Sequence, residues 1–393
     1  MLTSLDSHEE EEEAQEEDHR HHHHHHHHHF LLPSPSQSRD LLIASAELVH
    51  RREFPAALHA LSLLSSSLSP LGDSSDRLAH QFTLALSSAA SSSSSAVGSG
   101  GGAATSYLSF NQVTPFLRFA HLTANQAILD AVGAHGRIHI VDFDILHGVQ
   151  WPPFLQAIAE RSDHRNPPFI RLTGIGTDTD ILRRTGDRLR SFATSLGLSF
   201  HFHPLLLPPS SAPLPPPSLQ LHPGEILAVN CSFFLHKLLG SESQSHVTLF
   251  LQSLKRMNPV ILTMAEVEAS HNSPVFMQRF MEAMDYYSAV FESLEATLPP
   301  KSQERVAVEQ EWLGREISGI VAGVQRHERF DWWESVLKDA GFINVPLGGF
   351  ALSQARLLLR LHYPSEGYQL HSVKDSFFLG WQNKPLFSVS SWH

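Results

Sequence analysis

One cysteine, Cys231, is all the chain contains, so no internal disulfide can form and a reducing compartment, cytosolic or nuclear, is expected. No apolar run approaches the roughly 20 residues that a membrane-spanning helix needs. The N-terminus also lacks a basic region followed by an apolar segment, so neither membrane insertion nor secretion is expected. Dense basic stripes are missing too, with 28 Lys and Arg against 40 Asp and Glu, for a net charge of −12. Nine of those acids precede residue 29 against the single base Arg20, which places −8 in the head and leaves −4 for everything else. A mildly acidic folded part with no Lys/Arg stripe argues against autonomous high-affinity nucleic-acid binding.

What is present divides the chain clearly. Residues 1–38 combine an acidic run with His21 to His29 and Pro33-Ser-Pro35, a composition too polar to repay the entropy of ordering, and a floppy histidine tract offers no fixed metal geometry. Residues 40–86 read as three short helices separated by breakers. The first carries Leu41, Leu42, Leu48 and Val49; the second opens at Pro55 and carries Leu58, Leu61 and Leu68; the third is capped or led by Asp76 and carries Leu78, Phe82 and Leu86. The leucines do not sustain enough heptads for a long coiled coil, which leaves packing within the chain and contact with a partner as the two readings. A Ser/Gly tract over 87–106 predicts a flexible loop. Thr123-Ala-Asn-Gln126 then has capping-box spacing, and Gly133 is placed to stop the helix that follows it.

From Ile138 to Met264 strand and helix signals alternate, which predicts an α/β fold with a mostly parallel sheet. The expected strands are Ile138 to Phe143, Phe169 to Leu172, Leu198 to Phe202, Ile226 to Val229 and Val260 to Met264. Helices start near Pro152-Pro153 and between the second and third strands, where Gly197 ends the run. A proline-rich loop covers 204–223, and a long amphipathic helix carries Phe276, Phe280, Met284, Tyr287 and Phe291. Ser376 to Trp381 and Leu386 to Trp392 close the chain as two strands around Asn383-Lys384.

The chemistry concentrates where the first strand ends, at Asp142-Phe-Asp144-Ile-Leu-His147-Gly148. A strand delivering carboxylates to a loop that opens a helix is how nucleotide-binding α/β proteins begin their ligand crevice. Such a loop normally carries several glycines, and this one has only Gly148. After the second strand the nearest acid, Asp178, falls several residues too late to hold a ribose. Asp142 and Asp144 therefore either bind something polar or hold the loop, by capping the next helix or by pairing with His147 or Arg171. Histidines outside the head, including His121, His139, His147, His201, His203, His236 and His362, show no metal-ligand spacing, and no Gly-x-Ser-x-Gly elbow or phosphate loop is present. Trp332, Trp333, Trp381 and Trp392 read as core or cap packing rather than base-stacking platforms, since no basic residues interleave with them.

The order of leucine-rich helices, Ile138-His-Ile-Val-Asp142, Leu227-Ala-Val-Asn-Cys-Ser-Phe-Phe-Leu-His236, Pro274-Val-Phe-Met-Gln-Arg-Phe280 and the terminal Ser391-Trp392 resembles the plant GRAS family of transcriptional regulators. Two further stretches, Gly148 to Arg161 and Leu357 to Tyr368, are similar to its lateral suppressor or Monoculm subfamily, which is associated with axillary meristem initiation and shoot branching. The resemblance implies a Rossmann-like, methyltransferase-type mostly parallel sheet with antiparallel C-terminal strands and an α-helical cap. It divides residues 39–393 into a first leucine repeat and cap (40–120), a VHIID region (121–190), a second leucine repeat region (191–260), a PFYRE region (261–345) and a SAW region (346–393). It further implies a nuclear protein without cofactor or metal that associates with other transcription factors, family members among them, as a homodimer or heterodimer. Partner contact would run through Leu41, Leu42, Leu48, Leu58, Leu61, Leu78 and Phe82, and DNA contact through Arg183, Arg184, Arg188 and Arg190. The alternative is a small-molecule-binding or S-adenosylmethionine-dependent enzyme using the crevice from Asp142 to Trp151. The chain departs from the family at Gly323-Val-Gln-Arg-His-Glu-Arg329, where many members carry Glu-Gly before the Glu-Arg pair.

Overall fold

The sheet at the centre of the fold starts from β1 (Arg137–Asp142), whose last five residues are all buried. A strand buried on both faces belongs to a parallel sheet with helices on each side. The computed structural model describes residues 35–91, 102–163, 165–207, 219, 221–240, 243–299 and 302–393, so the acidic and histidine-rich head lies outside the described residues.

Among the described residues five helices precede β1: α1 (Pro35–His50), α2 (Phe54–Ser67), α3 (Ser74–Ala90), α4 (Gly102–Val113) and α5 (Phe116–Val132), the last leading into the strand. Then come α6 (Trp151–Arg161), β2 (Phe169–Gly176), α7 (Thr179–Ser195), β3 (Ser199–Leu206), β4 (Ile226–Ser232), α8 (Ser243–Arg256) and β5 (Ile261–Val267). The rest of the chain forms α9 (Phe276–Thr297), α10 (Gln303–Ala307), a π-helical turn over Val308–Leu313, α11 (Gly314–Val321), α12 (Phe330–Asp339), β6 (Asn344–Val345), α13 (Gly349–His362), β7 (Tyr368–Val373), β8 (Ser376–Trp381) and β9 (Lys384–Trp392).

The strand order is β3-β2-β1-β4-β5-β9-β8-β7, with β6 added to β9. β3 through β5 run parallel, and the closing strands are antiparallel, as expected. Direction of strand order reverses between β1 and β4, the place where open α/β sheets form their ligand crevice outside the carboxyl ends of the strands. One apolar core fills the side of the sheet covered by α5, α6 and α9, and the other fills the side covered by α8 and α12. The cap is assembled from both parts of the chain: α1, α3 and α4 pack against α9, α10, α11 and the π-helical turn, and α2 packs on α1 and α3.

Several expectations need correction. α1 begins at Pro35, inside the segment assigned to the head. The loop expected over 87–106 is shorter at both ends, because Ser87 to Ala90 complete α3 and Gly102 opens α4; only 92–101 lie outside the described residues. Thr123 to Gln126 do not start a helix. α5 starts at Phe116 behind Pro115, so Thr123 is buried in mid-helix, its hydroxyl without a partner among the described residues, while Gln126 reaches forward to Asp130. Gly133 does end it, at φ +52°. Asp73 supplies the cap of α3 and Asp76 leads its first turn. β2 runs four residues past Leu172, and β3 continues through Pro204 into the proline-rich segment. Proline is tolerated there because β3 is an edge strand.

Candidate functional site

Asp142 ends β1 opposite Asn230 on β4, which in turn lies opposite Thr263 on β5, so strand register alone brings three polar side chains to one buried row. Asn230 Nδ2 donates to Asp142 Oδ1 at 2.7 Å, and Trp151 Nε1 from the first turn of α6 donates to Asp142 Oδ2 at 2.7 Å. Asn230 Oδ1 accepts from Thr263 Oγ1 at 2.9 Å and Ser232 Oγ at 3.0 Å. Gln150 joins the row through Asn230 and through Asn125 of α5. Burial pushes the Asp142 carboxyl up to about 7 while the Asn230 and Trp151 hydrogen bonds pull the other way. The carboxylate does hold the loop, but its partners are Trp151 and Asn230, and it neither caps α6 nor meets His147 or Arg171. Arg171 instead donates to Glu225 and to His139 Nδ1.

The loop after β1 keeps a tightly turned backbone without the glycines. Asp144, Leu146 and Gly148 all have left-handed φ values, of 67°, 45° and 59°. Gly148 is required by its neighbour: a Cβ there would lie 2.7 Å from Thr185 Cγ2 of α7, so its missing side chain serves helix packing. Asp144 forms an ion pair with Lys237, and half-buried His147 faces the Tyr107 ring at 6.1 Å. Burial first, then Arg188 and Arg184, lowers the His147 pKa.

A cavity of about 400 Å³ opens over this row, between the carboxyl ends of β1 and β4 and the underside of the cap. Asp142, Asp144 and His147 line it, together with Tyr287, expected only on the apolar face of the long helix, and with residues that composition and spacing did not single out: Tyr107, Trp312, Lys237 and Glu316. His327, from the segment that departs from the family pattern, reaches it as well. Among the described residues no group of three or more His, Cys, Asp or Glu side chains is arranged to hold a metal ion.

S-Adenosylmethionine, the cofactor of methyltransferase-type sheets, does not fit these residues. Both oxygens of Asp142 are taken internally. Asp178 stands two residues beyond β2, closer than expected because the strand is longer, yet its carboxylate is committed as the cap of α7, accepting from Ile181 N at 2.9 Å. Pro152 and Pro153 occupy the first turn of α6, removing two of the free N–H groups with which a helix end receives an anionic group.

His121 on α5 also lines the cavity, and no hydrogen bond reaches its ring among the described residues. Burial lowers its pKa to about 4 from 6.5. A base with a depressed folded pKa lets the unfolded chain take up the proton first, so its share of stability is present above about pH 6.5 and lost as pH falls towards 4. His121→Phe is expected to reduce the slope of unfolding free energy against pH in that window by one proton, about 1.4 kcal/mol per pH unit. Denaturant titrations at pH 6.5, 5.5 and 4.5 measure it, and an unaltered slope would show a solvated ring.

The other candidate residues are placed elsewhere. Leu42, Leu61, Leu78 and Phe82 are core residues, Leu48 is half-buried, and only Leu41 and Leu58 of that set are exposed. Leu63 on α2, not singled out from the sequence, is the most exposed leucine of the cap at 58%. Arg183, Arg184, Arg188 and Arg190 all lie on the outer face of α7. Arg183 and Arg190 pair with Asp180 and Asp187, Arg184 donates to the Asp180 carbonyl, and Arg188 donates to the His147 carbonyl at the rim of the crevice.

Comparison with known proteins adds to this geometry. Residues 38–393 match the GRAS domain family. Scarecrow-like protein 18 of Arabidopsis thaliana is 47% identical, over 90% of this chain and 91% of its own. Protein MONOCULM 1 of Oryza sativa subsp. japonica is 49% identical, over 90% and 88%. The crystal structure of SCL7 from Oryza sativa superposes with a TM-score of 0.76 at 34% identity, covering 91% of this chain and 99% of that one.

Proposed function

Because the chain belongs to the GRAS domain family, we propose that it is a plant nuclear regulator of transcription that works by binding other transcription factors through its helical cap. Its similarity to Protein MONOCULM 1 and the subfamily resemblance point to axillary meristem initiation and shoot branching. The observation that carries the reading is the division of labour among the cap leucines: Leu42, Leu61 and Leu64 build the core, while Leu41, Leu58 and Leu63 of the same two helices face outward. A core already closed by the first set leaves the second without an internal role. The outer arginines of α7 are the residues that would meet DNA in such an assembly, and no catalytic step is assigned.

The triple variant Leu41→Lys, Leu58→Lys, Leu63→Lys changes exposed positions only and is expected to keep the fold. Tagged protein retrieved from meristem nuclei should then lose its transcription factors by about tenfold, a loss of about 1.4 kcal/mol of binding. Undiminished capture by a variant with a native circular dichroism spectrum would overturn the reading.

A further inference from the structure

We propose that the cavity beneath the cap is a binding site for a neutral or cationic, largely apolar organic molecule, a site independent of the partner-binding leucines. Its volume of about 400 Å³ lies in the range of roughly 300–1,000 Å³ that takes a drug-sized ligand. It sits where the strand order reverses, which is where such folds bind ligands.

Three lining side chains carry unspent hydrogen-bonding capacity. Tyr107 is 8% exposed, His121 8% and Tyr287 3%, all three line the cavity, and neither hydroxyl nor the imidazole has a hydrogen-bond partner among the described residues. All three open into the same cavity, where the polar groups of a ligand can reach them. They come from different parts of the chain: α4 in the cap, α5 under the sheet, and α9. Trp312 completes the aromatic wall, its ring 5.6 Å from Tyr107 and 5.8 Å from Phe110. It is held there by the π-helical turn, an irregularity frequent at functional sites.

Charge selects the ligand class. Asp142, Asp144 and Glu316 line the cavity against Lys237 and Arg315, and the ion pair between Asp144 and Lys237 cancels one of each. No surplus of positive charge remains for an anion. The helix amino end that would otherwise receive one is α6, blocked by Pro152 and Pro153, while the Trp151 N–H is already donated to the Gly148 carbonyl. Phosphates, nucleotides and free carboxylates are therefore disfavoured. An aromatic or alicyclic body bearing hydroxyl or amine groups satisfies the walls and the three unpartnered side chains together.

A matched pair of fluorescent probes tests this on the full chain: N-phenyl-1-naphthylamine, which is neutral, and 8-anilinonaphthalene-1-sulfonate, the same ring system with an added sulfonate. The neutral probe is expected to bind saturably at one site with micromolar affinity, and the sulfonate at least about tenfold more weakly. Tyr107→Phe and Tyr287→Phe preserve shape and should each weaken the neutral probe several-fold. Val290→Phe fills the void from α9 and should abolish binding; should it fail to fold, Ile181→Trp narrows the mouth from the half-buried start of α7 and serves the same purpose. Absence of saturable binding by the wild-type chain, equal affinity for the two probes, or unchanged binding in a folded filled-cavity variant would each overturn the proposal. None of these outcomes bears on capture of transcription factors, so failure here and failure of the regulatory reading are separable.

Discussion

Arg77→Ala is expected to lower the unfolding free energy by about 3–5 kcal/mol, the usual consequence of leaving one charge of a buried pair uncompensated. Arg77 on α3 and Glu309 in the π-helical turn are each 2% exposed, and Arg77 Nε donates to Glu309 Oε2 at 2.8 Å. The same guanidinium donates to Glu295 of α9 at 2.6 Å and to the Gly72 carbonyl. Burial raises the Glu309 carboxyl despite the pull of Arg77, so losing the arginine leaves a carboxylate that is costly to keep ionised. The pair is not fully satisfied, since Arg77 Nη2 and Glu309 Oε1 have no hydrogen-bond partner among the described residues. Arg305, also buried, lies 3.9 Å from Glu309 and would lose its counter-ion in turn, so the double replacement Arg77→Met, Glu309→Leu is expected to recover only part of the loss. Urea unfolding of the two variants measures both, and a single variant within about 1 kcal/mol of wild type would show that this contact does not hold the cap.

Asp142→Ala should cost roughly 2–6 kcal/mol, because Trp151 Nε1 and Asn230 Nδ2 would both be left buried without an acceptor at about 1–3 kcal/mol each. Asp142→Asn is no rescue. Both partners are donors, and an amide in place of the carboxylate sets its own N–H group against one of them, so asparagine is expected to cost about as much as alanine. Burial holds the folded pKa at about 7 against an ordinary 3.8, so the native state keeps a proton between about pH 4 and 7 that the unfolded chain has released. The stability this group contributes is complete below about pH 4 and is lost as pH rises through 7, so the gap between wild type and Asp142→Ala should be wider at pH 5 than at pH 8. A benign Asp142→Asn variant would disprove the double-acceptor geometry.

The parts of this architecture legible in the sequence are those set by local pattern. Apolar strand runs, Pro152-Pro153 at the start of α6, Gly133 and Gly197 at helix ends and the turn between β8 and β9 all act over a few residues. The loop from Asp142 to Gly148 is legible as the mouth of a crevice for the same reason, and three of its polar side chains do line the cavity. What stayed hidden depends on register and on distance along the chain. Asn230 meets Asp142 only because β4 pairs with β1 in one register, and its visible trace was a lone amide in an apolar strand. Tyr107, Tyr287 and Trp312 meet across more than 200 residues, and nothing in their local spacing distinguishes cavity walls from core. The cap leucines misled in a different way, since helical periodicity marks an apolar face without saying whether the chain itself or a partner covers it. The capping-box pattern at Thr123 failed because Pro115 had already fixed the helix start upstream.

The place of β9 between β5 and β8 has a consequence for how the protein is made. The five parallel strands are complete in the chain by Val267, but the edge of β5 stays unpaired until Lys384 to Trp392 have been synthesised. At roughly 5–20 residues per second that interval lasts on the order of 6–25 seconds, during which a bare strand edge is presented to every other nascent chain nearby. Chaperone demand during translation should therefore be concentrated while residues 267 to 392 are being made, and synonymous changes that slow elongation between residues 267 and 384 should lower the yield of native protein while leaving the finished molecule untouched.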